Sequence, residues 1–134
     1  MEKKRILIID DEEAILRMMR LALEKAGYAV LDASNGIEGL NIYHEALPDL
    51  VITDIFMPEM EGLEMIMALR RENRNIKIIA ISGGGTNGFD HLPTAIKLGA
   101  LRAVAKPFTQ QDLLGAVGDL LKTDTHVRTE GEAY

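Results

Sequence analysis

The chain has no cysteine among its 134 residues, which excludes a disulfide framework and a thiolate metal site and fits a reducing compartment. It has no excess of basic residues: 15 lysines and arginines face 21 aspartates and glutamates, for a net charge of −6. No basic stripe is present to displace phosphate counterions, so nucleic acid is not an expected partner. No stretch reaches the roughly 18 or more uncharged apolar residues of a membrane helix. The start, Met1-Glu-Lys-Lys-Arg5, leads into a strand and not into a signal-peptide apolar segment. A cytoplasmic protein with no membrane partner is expected. The length suits one domain with its own core.

Apolar runs and helical stretches alternate five times, without hairpin signals between the runs. Ile6–Ile9 reads as a first strand running into Asp10-Asp11, and Glu13 to Ala26 as a helix with Ile15, Leu16, Met19, Ala22, Leu23 and Ala26 on its inner face. Asp11 is placed to cap that helix and Gly27 to end it. Tyr28–Ala33 is a second strand, and Asn35-Gly-Ile-Glu38 has the form of a cap for a helix reaching about Ala46. Leu47-Pro48-Asp49 turns into the central strand, Leu50–Thr53, which delivers Asp54 at its end and is stopped by Met57-Pro58. A third helix is expected from Glu61 or Gly62 to Glu72, burying Leu63, Ile66, Met67 and Leu69. Ile76–Ile81 forms a fourth strand with Ser82 at its tip, followed by a glycine-rich loop, Gly83 to Gly88, expected to be mobile. Pro93 opens a short fourth helix ending near Leu98-Gly99, and Arg102–Ala105 is a fifth strand leading to Lys106-Pro107. Thr109-Gln-Gln-Asp112 caps a last helix with Leu113, Leu114, Val117, Leu120 and Leu121 inside. The domain is therefore expected over residues 1–122, and the polar stretch 123–134 as a disordered tail.

This alternation implies an α/β fold of three layers: a five-stranded parallel sheet, doubly wound in the flavodoxin-like order 2-1-3-4-5, between five helices. In such sheets ligands bind outside the carboxyl ends of the strands, at the switch point between strands one and three. That rule selects Asp10, Asp11 and Asp54, and puts Ser82 and Lys106 on the same edge. Three carboxylates close together repel unless some protonate or a cation sits among them. Oxygen ligands without histidine or cysteine select a hard cation, and so few carboxylates suit Mg²⁺, which usually shares its site with a phosphate. Ser82 and Lys106 could receive that phosphate by a hydrogen bond and a point charge. Asp54, alone on the central strand, is the natural nucleophile for an acyl phosphate. His44, His91 and His126 share no metal-site spacing, and no lysine follows Gly83–Gly85 as a phosphate-binding P-loop requires.

The combination of Asp10-Asp11, Asp54 with Met57-Pro58, Ser82, and Lys106-Pro107-Phe108 resembles the receiver domain of bacterial two-component response regulators, over about residues 4 to 122. The resemblance implies phosphoryl transfer to Asp54 from a phosphohistidine on a sensor histidine kinase or phosphotransfer protein. It also implies Mg²⁺ bound by Asp11, Asp54 and the backbone carbonyl of Phe56, with Asp10 acting through water, and a cis peptide between Lys106 and Pro107. The donor's docking face falls on the first helix, at Ala14, Ile15, Met18 and Leu21, with Phe108 beside it. One departure is Ala103, three positions before the lysine, where receivers usually carry a switching aromatic. Ordering of the glycine loop and fourth helix, with Phe89 as the moving apolar group, is expected to replace it. A receiver acting alone, toward an unknown downstream protein, is the leading reading. A receiver cut from a longer regulator is the second. A haloacid-dehalogenase-type phosphatase would need a second acid where Phe56 stands, and a flavin carrier a Ser/Thr/Gly phosphate loop where Asp10-Asp-Glu-Glu13 stands.

Overall fold

The computed structural model describes residues 3–55, 62–83 and 92–130. Expectations resting on the Phe56 carbonyl, Met57-Pro58, the loop from Gly84 to Gly88, Phe89, His91 and the last four residues lie outside this range.

The elements follow in the order β1 (Arg5–Ile9), α1 (Glu13–Lys25), β2 (Ala29–Ala33), α2 (Gly36–Ala46), β3 (Leu50–Asp54), α3 (Gly62–Glu72), β4 (Ile78–Ser82), α4 (Leu92–Leu98), β5 (Arg102–Ala105) and α5 (Gln110–Glu130). All strand pairs are parallel and the sheet order is β2-β1-β3-β4-β5, as the alternation of elements implies. The inner strands are apolar at nearly every position because both sheet faces are covered. Leu7, Ile9, Val51, Ile55, Ile78 and Ala80 pack with Tyr43, Met65, Ile66, Leu69 and Ala95 from α2, α3 and α4. The alternate residues Ile6, Ile8, Leu50, Ile52, Ile79 and Ile81 pack with Met19, Ala22, Leu23, Leu113, Val117 and Leu121 from α1 and α5. Two cores thus lie back to back, separated by the pleat.

Local chemistry starts the helices. The Asn35 side chain accepts from the Glu38 N–H at 2.8 Å, and Glu38 reaches back to the Ser34 N–H at 2.9 Å. At α5 the exchange is a reciprocal capping box: Thr109 Oγ1 accepts from the Asp112 N–H at 3.0 Å, and Asp112 Oδ2 from the Thr109 N–H at 2.9 Å.

Four sequence expectations are corrected. Asp11 does not cap α1; Glu12 is the N-cap and makes no side-chain cap bond. Instead Asp10 Oδ1 accepts the Glu12 N–H at 2.8 Å, one residue earlier than the capping pattern suggests. On α3 the buried stripe is Gly62, Met65, Ile66 and Leu69, the spacing i, i+3, i+4, i+7, so Met67 turns outward. Ala26, past the end of α1, is exposed. The fourth strand starts at Ile78 instead of Ile76, because Asn73 Oδ1 accepts the Asn75 N–H at 2.9 Å and holds the preceding residues in a turn. Beyond these four, α5 runs in helical backbone as far as Glu130. No glycine or proline interrupts the stretch from Thr123 to Glu130.

Candidate functional site

Strand alternation assembles the site. Asp10 continues the phase of Ile6 and Ile8 beyond β1, and Asp54 that of Leu50 and Ile52 on β3. Lys106 follows Val104, which packs on the same side as these residues. Side chains two apart share a face, so two acids and one ammonium from three different strands meet at the carboxyl edge, on the α1/α5 side. The Lys106–Pro107 peptide is cis. The Lys106 N–H donates to the Ser82 carbonyl at 2.7 Å, tying the tips of β4 and β5 together.

Lys106 Nζ stands 2.9 Å from Asp10 Oδ2, 3.1 Å from Asp54 Oδ2 and 2.8 Å from Glu12 Oε1. The Asp10 residue is 0% exposed, and the lysine side chain only 13%. Burial is the main cause that holds the Asp10 carboxyl above its ordinary value, with the nearby Asp54 charge adding to it and the Glu12 N–H and Lys106 opposing it. Burial also works against the Lys106 ammonium, but Glu12, Asp10 and Asp54 outweigh it and hold Lys106 above its ordinary value. The lysine is charged throughout the physiological range.

One ammonium does not balance this site. Carboxylate oxygens of Asp10, Glu12 and Asp54 lie within 4.8 Å of one another, and Asp10 Oδ2, although close to Lys106, has no hydrogen-bond donor directed at it. A buried, undersatisfied anionic oxygen among carboxylates and no nitrogen or sulfur ligand fits a hard divalent cation.

The expected site residues divide accordingly. Asp10, Asp54 and Lys106 come together. Ser82 is fully buried at the tip of β4, on the same edge. Asp11 is exposed and stands outside the acid group; with Glu13, Leu16, Asp32, Ser34 and Glu38 it lines a separate depression between α1, β2 and α2. Three participants were missed in the sequence. Glu12 reads as an ordinary first-turn acid, yet its extended backbone (φ −95°, ψ 113°) starts the turn into α1 beside the edge. Thr53, buried beside Asp54, donates its hydroxyl to the Asp54 carbonyl at 2.9 Å. Gly62 seats the start of α3 so close to β3 that a Cβ there would lie 2.1 Å from the Asp54 carbonyl oxygen; a glycine heading a helix was the available signal.

Of the residues expected to dock a donor, Ala14 is exposed and Leu21 is 59% exposed, whereas Ile15, Met18 and Phe108 are half-buried against the α1/α5 core. Ala103 is exposed on β5.

The family model described as the response regulator receiver domain matches residues 6–118. The chemotaxis protein CheY of Thermotoga maritima is 38% identical over 120 residues, covering 89% of this chain and 98% of the relative. A probable transcriptional regulator, ycf27 of Guillardia theta, is 33% identical over 135 residues, covering 96% of this chain but 52% of its own length. The chain spans about half the length of most of the curated relatives it matches. Among solved structures, response regulator TrrA of Thermotoga maritima, in complex with Mg(2+)-BeF, is similar with a TM-score of 0.77 at 33% identity, over 87% of this chain and 98% of that one. With its sheet order, its edge of acids facing one lysine and a match over most of its length, this chain belongs to the receiver domain family of response regulators in two-component signalling.

Proposed function

We propose that Asp54 is the phosphoacceptor of a phosphorylation-gated switch, charged by a phosphohistidine on a sensor histidine kinase or phosphotransfer protein. The observation that carries this reading is the Lys106 ammonium, 3.1 Å from Asp54 Oδ2 at a nearly buried strand tip. A carboxylate oxygen of Asp54 attacks phosphorus, the phosphorus–nitrogen bond breaks, and its electron pair stays on the imidazole nitrogen. With the other ring nitrogen of the donor already protonated, the products are an acyl phosphate and a neutral histidine. Asp54 then no longer carries its own charge, while the phosphoryl oxygens bring new negative charge to the place where Lys106 already stands protonated. Ser82, at the neighbouring strand tip, supplies a hydroxyl for those oxygens.

The relative TrrA was solved with Mg(2+)-BeF, and Mg²⁺ suits the acid set here. Asp10 and Asp54 would hold it, with Asp11 and the Phe56 carbonyl added from the family pattern, and it would neutralise charge on the transferring group. Donor docking is assigned to the outer face of α1, at Ala14 and Leu21 with the edges of Ile15, Met18 and Phe108. The chain catalyses only its own phosphorylation and dephosphorylation, in the cytoplasm, and passes the change to a downstream protein. This reading holds equally for a chain like CheY and for the receiver half of a longer regulator like ycf27.

Intact mass after incubation with acetyl phosphate and Mg²⁺ tests it. Wild type should gain one phosphoryl group, lost on chelation of the metal and in Asp54→Asn. Equal uptake by Asp54→Asn would assign the chemistry elsewhere.

A further inference from the structure

The chain is acidic as a whole, and Asp10, Glu12 and Asp54 crowd together at the carboxyl edge of the sheet. At the opposite edge, where α3 and α4 hand over to β4 and β5, guanidinium groups collect. Arg70 and Arg71 close α3 and Arg74 follows in the turn. With Met67 and Leu98 they line an open groove of about 640 Å³ between the two helices. Arg70 is held in place, donating to the carbonyls of Arg74 and Gly99. Carbonyls neutralise no charge, and among the described residues no carboxylate pairs with Arg70, Arg71 or Arg74. The adjacent Glu72 is turned toward α2, 2.7 Å from His44 Nε2. Met67 lies on the groove side of α3 and is 43% exposed, while its neighbours Met65 and Ile66 are fully buried.

We propose that this groove docks an acidic segment of a partner protein that also presents an apolar side chain. Its carboxylates would meet the planar donors of Arg71 and Arg74, which suit bidentate contact. Its apolar group would cover Met67, whose flexible thioether adapts to varied surfaces, together with Leu98. Charge complementarity also orients the partner, because the opposite edge carries Asp10, Glu12 and Asp54 and repels an acidic chain. A nucleic acid backbone fits less well, because it would leave Met67 and Leu98 uncovered. The groove is independent of the phosphoacceptor reading.

The test is an amide chemical-shift titration with a synthetic helical peptide of glutamate, leucine and alanine. Its glutamate-to-glutamine counterpart and a short oligothymidine serve as competing probes. Saturable shifts confined to the last turn of α3 and to α4 are expected for the acidic peptide. Binding should be weakened roughly three- to tenfold in Arg71→Gln/Arg74→Gln, with an unchanged urea midpoint. Equal binding of the glutamine peptide, tighter binding of the oligothymidine, shifts centred elsewhere, or no saturable shift would each overturn the proposal.

Discussion

Asp10 carries a charge that its surroundings disfavour. Burial raises its carboxyl above the ordinary 3.8, so between that value and the folded-state value the native protein binds a proton that the unfolded chain releases. Stability from this group therefore grows as pH falls through that window and is withdrawn above it. Asp10→Asn keeps an oxygen for the Glu12 N–H and removes the penalty. It should raise the unfolding free energy at neutral pH by on the order of 1 kcal/mol and lose that advantage as pH drops toward about 4. Urea midpoints at the two pH values check it, and a gain that persisted in acid would refute the explanation. Lys106 follows the same direction in a higher window: with its value held above the ordinary 10.5, its contribution is complete at neutral pH and lost only in strong alkali. Asp10, Asp54 and Lys106 were legible in the sequence because an apolar run that stops at a charged residue marks a strand tip. Glu12 was not, because an acid opening a helix has the same appearance whether it faces solvent or an ammonium.

At the scale of elements, α3 is the tightest fit. Its first residue, Gly62, donates its N–H to the Ile55 carbonyl at 3.2 Å, and an added Cβ would lie 2.5 Å from Ile55 Cα as well as 2.1 Å from the Asp54 carbonyl oxygen. Backbone cannot swing aside as a flexible side chain can, so Gly62→Ala must push α3 off β3 or displace Asp54. A loss of about 1–3 kcal/mol in stability is expected, with slower phosphoryl uptake from acetyl phosphate than the stability loss alone explains. Unchanged midpoint and rate together would show that the helix start has slack. The strands and helices themselves were readable from period and caps, because each helix has one inner face. The phase of α3 was not: in Leu63-Glu-Met-Ile-Met67 apolar residues occupy both faces, and only packing decides that Met65 goes in and Met67 out.

At the scale of the molecule, carboxylates of Asp10, Glu12 and Asp54 crowd the carboxyl edge of the sheet, and among the described residues Arg71 and Arg74 at the other edge pair with no carboxylate. A divalent cation that binds the folded acid cluster and not the unfolded chain must stabilise the fold by mass action, by about 2.7 kcal/mol at a concentration 100 times its dissociation constant. Thermal melts with increasing Mg²⁺ should show a rising midpoint in wild type and little change in Asp54→Asn. An equal rise in both would mean that the ion acts on charge elsewhere. Sheet order was deducible from sequence because parallel strands with helical crossovers admit few arrangements. Which acids gather round Lys106 was not, since a single residue of offset separates Asp11 from Glu12.

The three-way grip on Lys106 also bears on how the protein is made. The lysine lies 52 residues after Asp54 and 94 after Glu12, beyond the last strand of this sheet. A nascent chain that has exposed β1 and β3 but not β5 holds mutually repelling acids with no counter-charge, and its sheet lacks an edge. Such a fragment carries Asp54 without the ammonium that stands 3.1 Å from it in the finished fold. The electrostatic balance of this edge is therefore completed only when β5 takes its place beside β4.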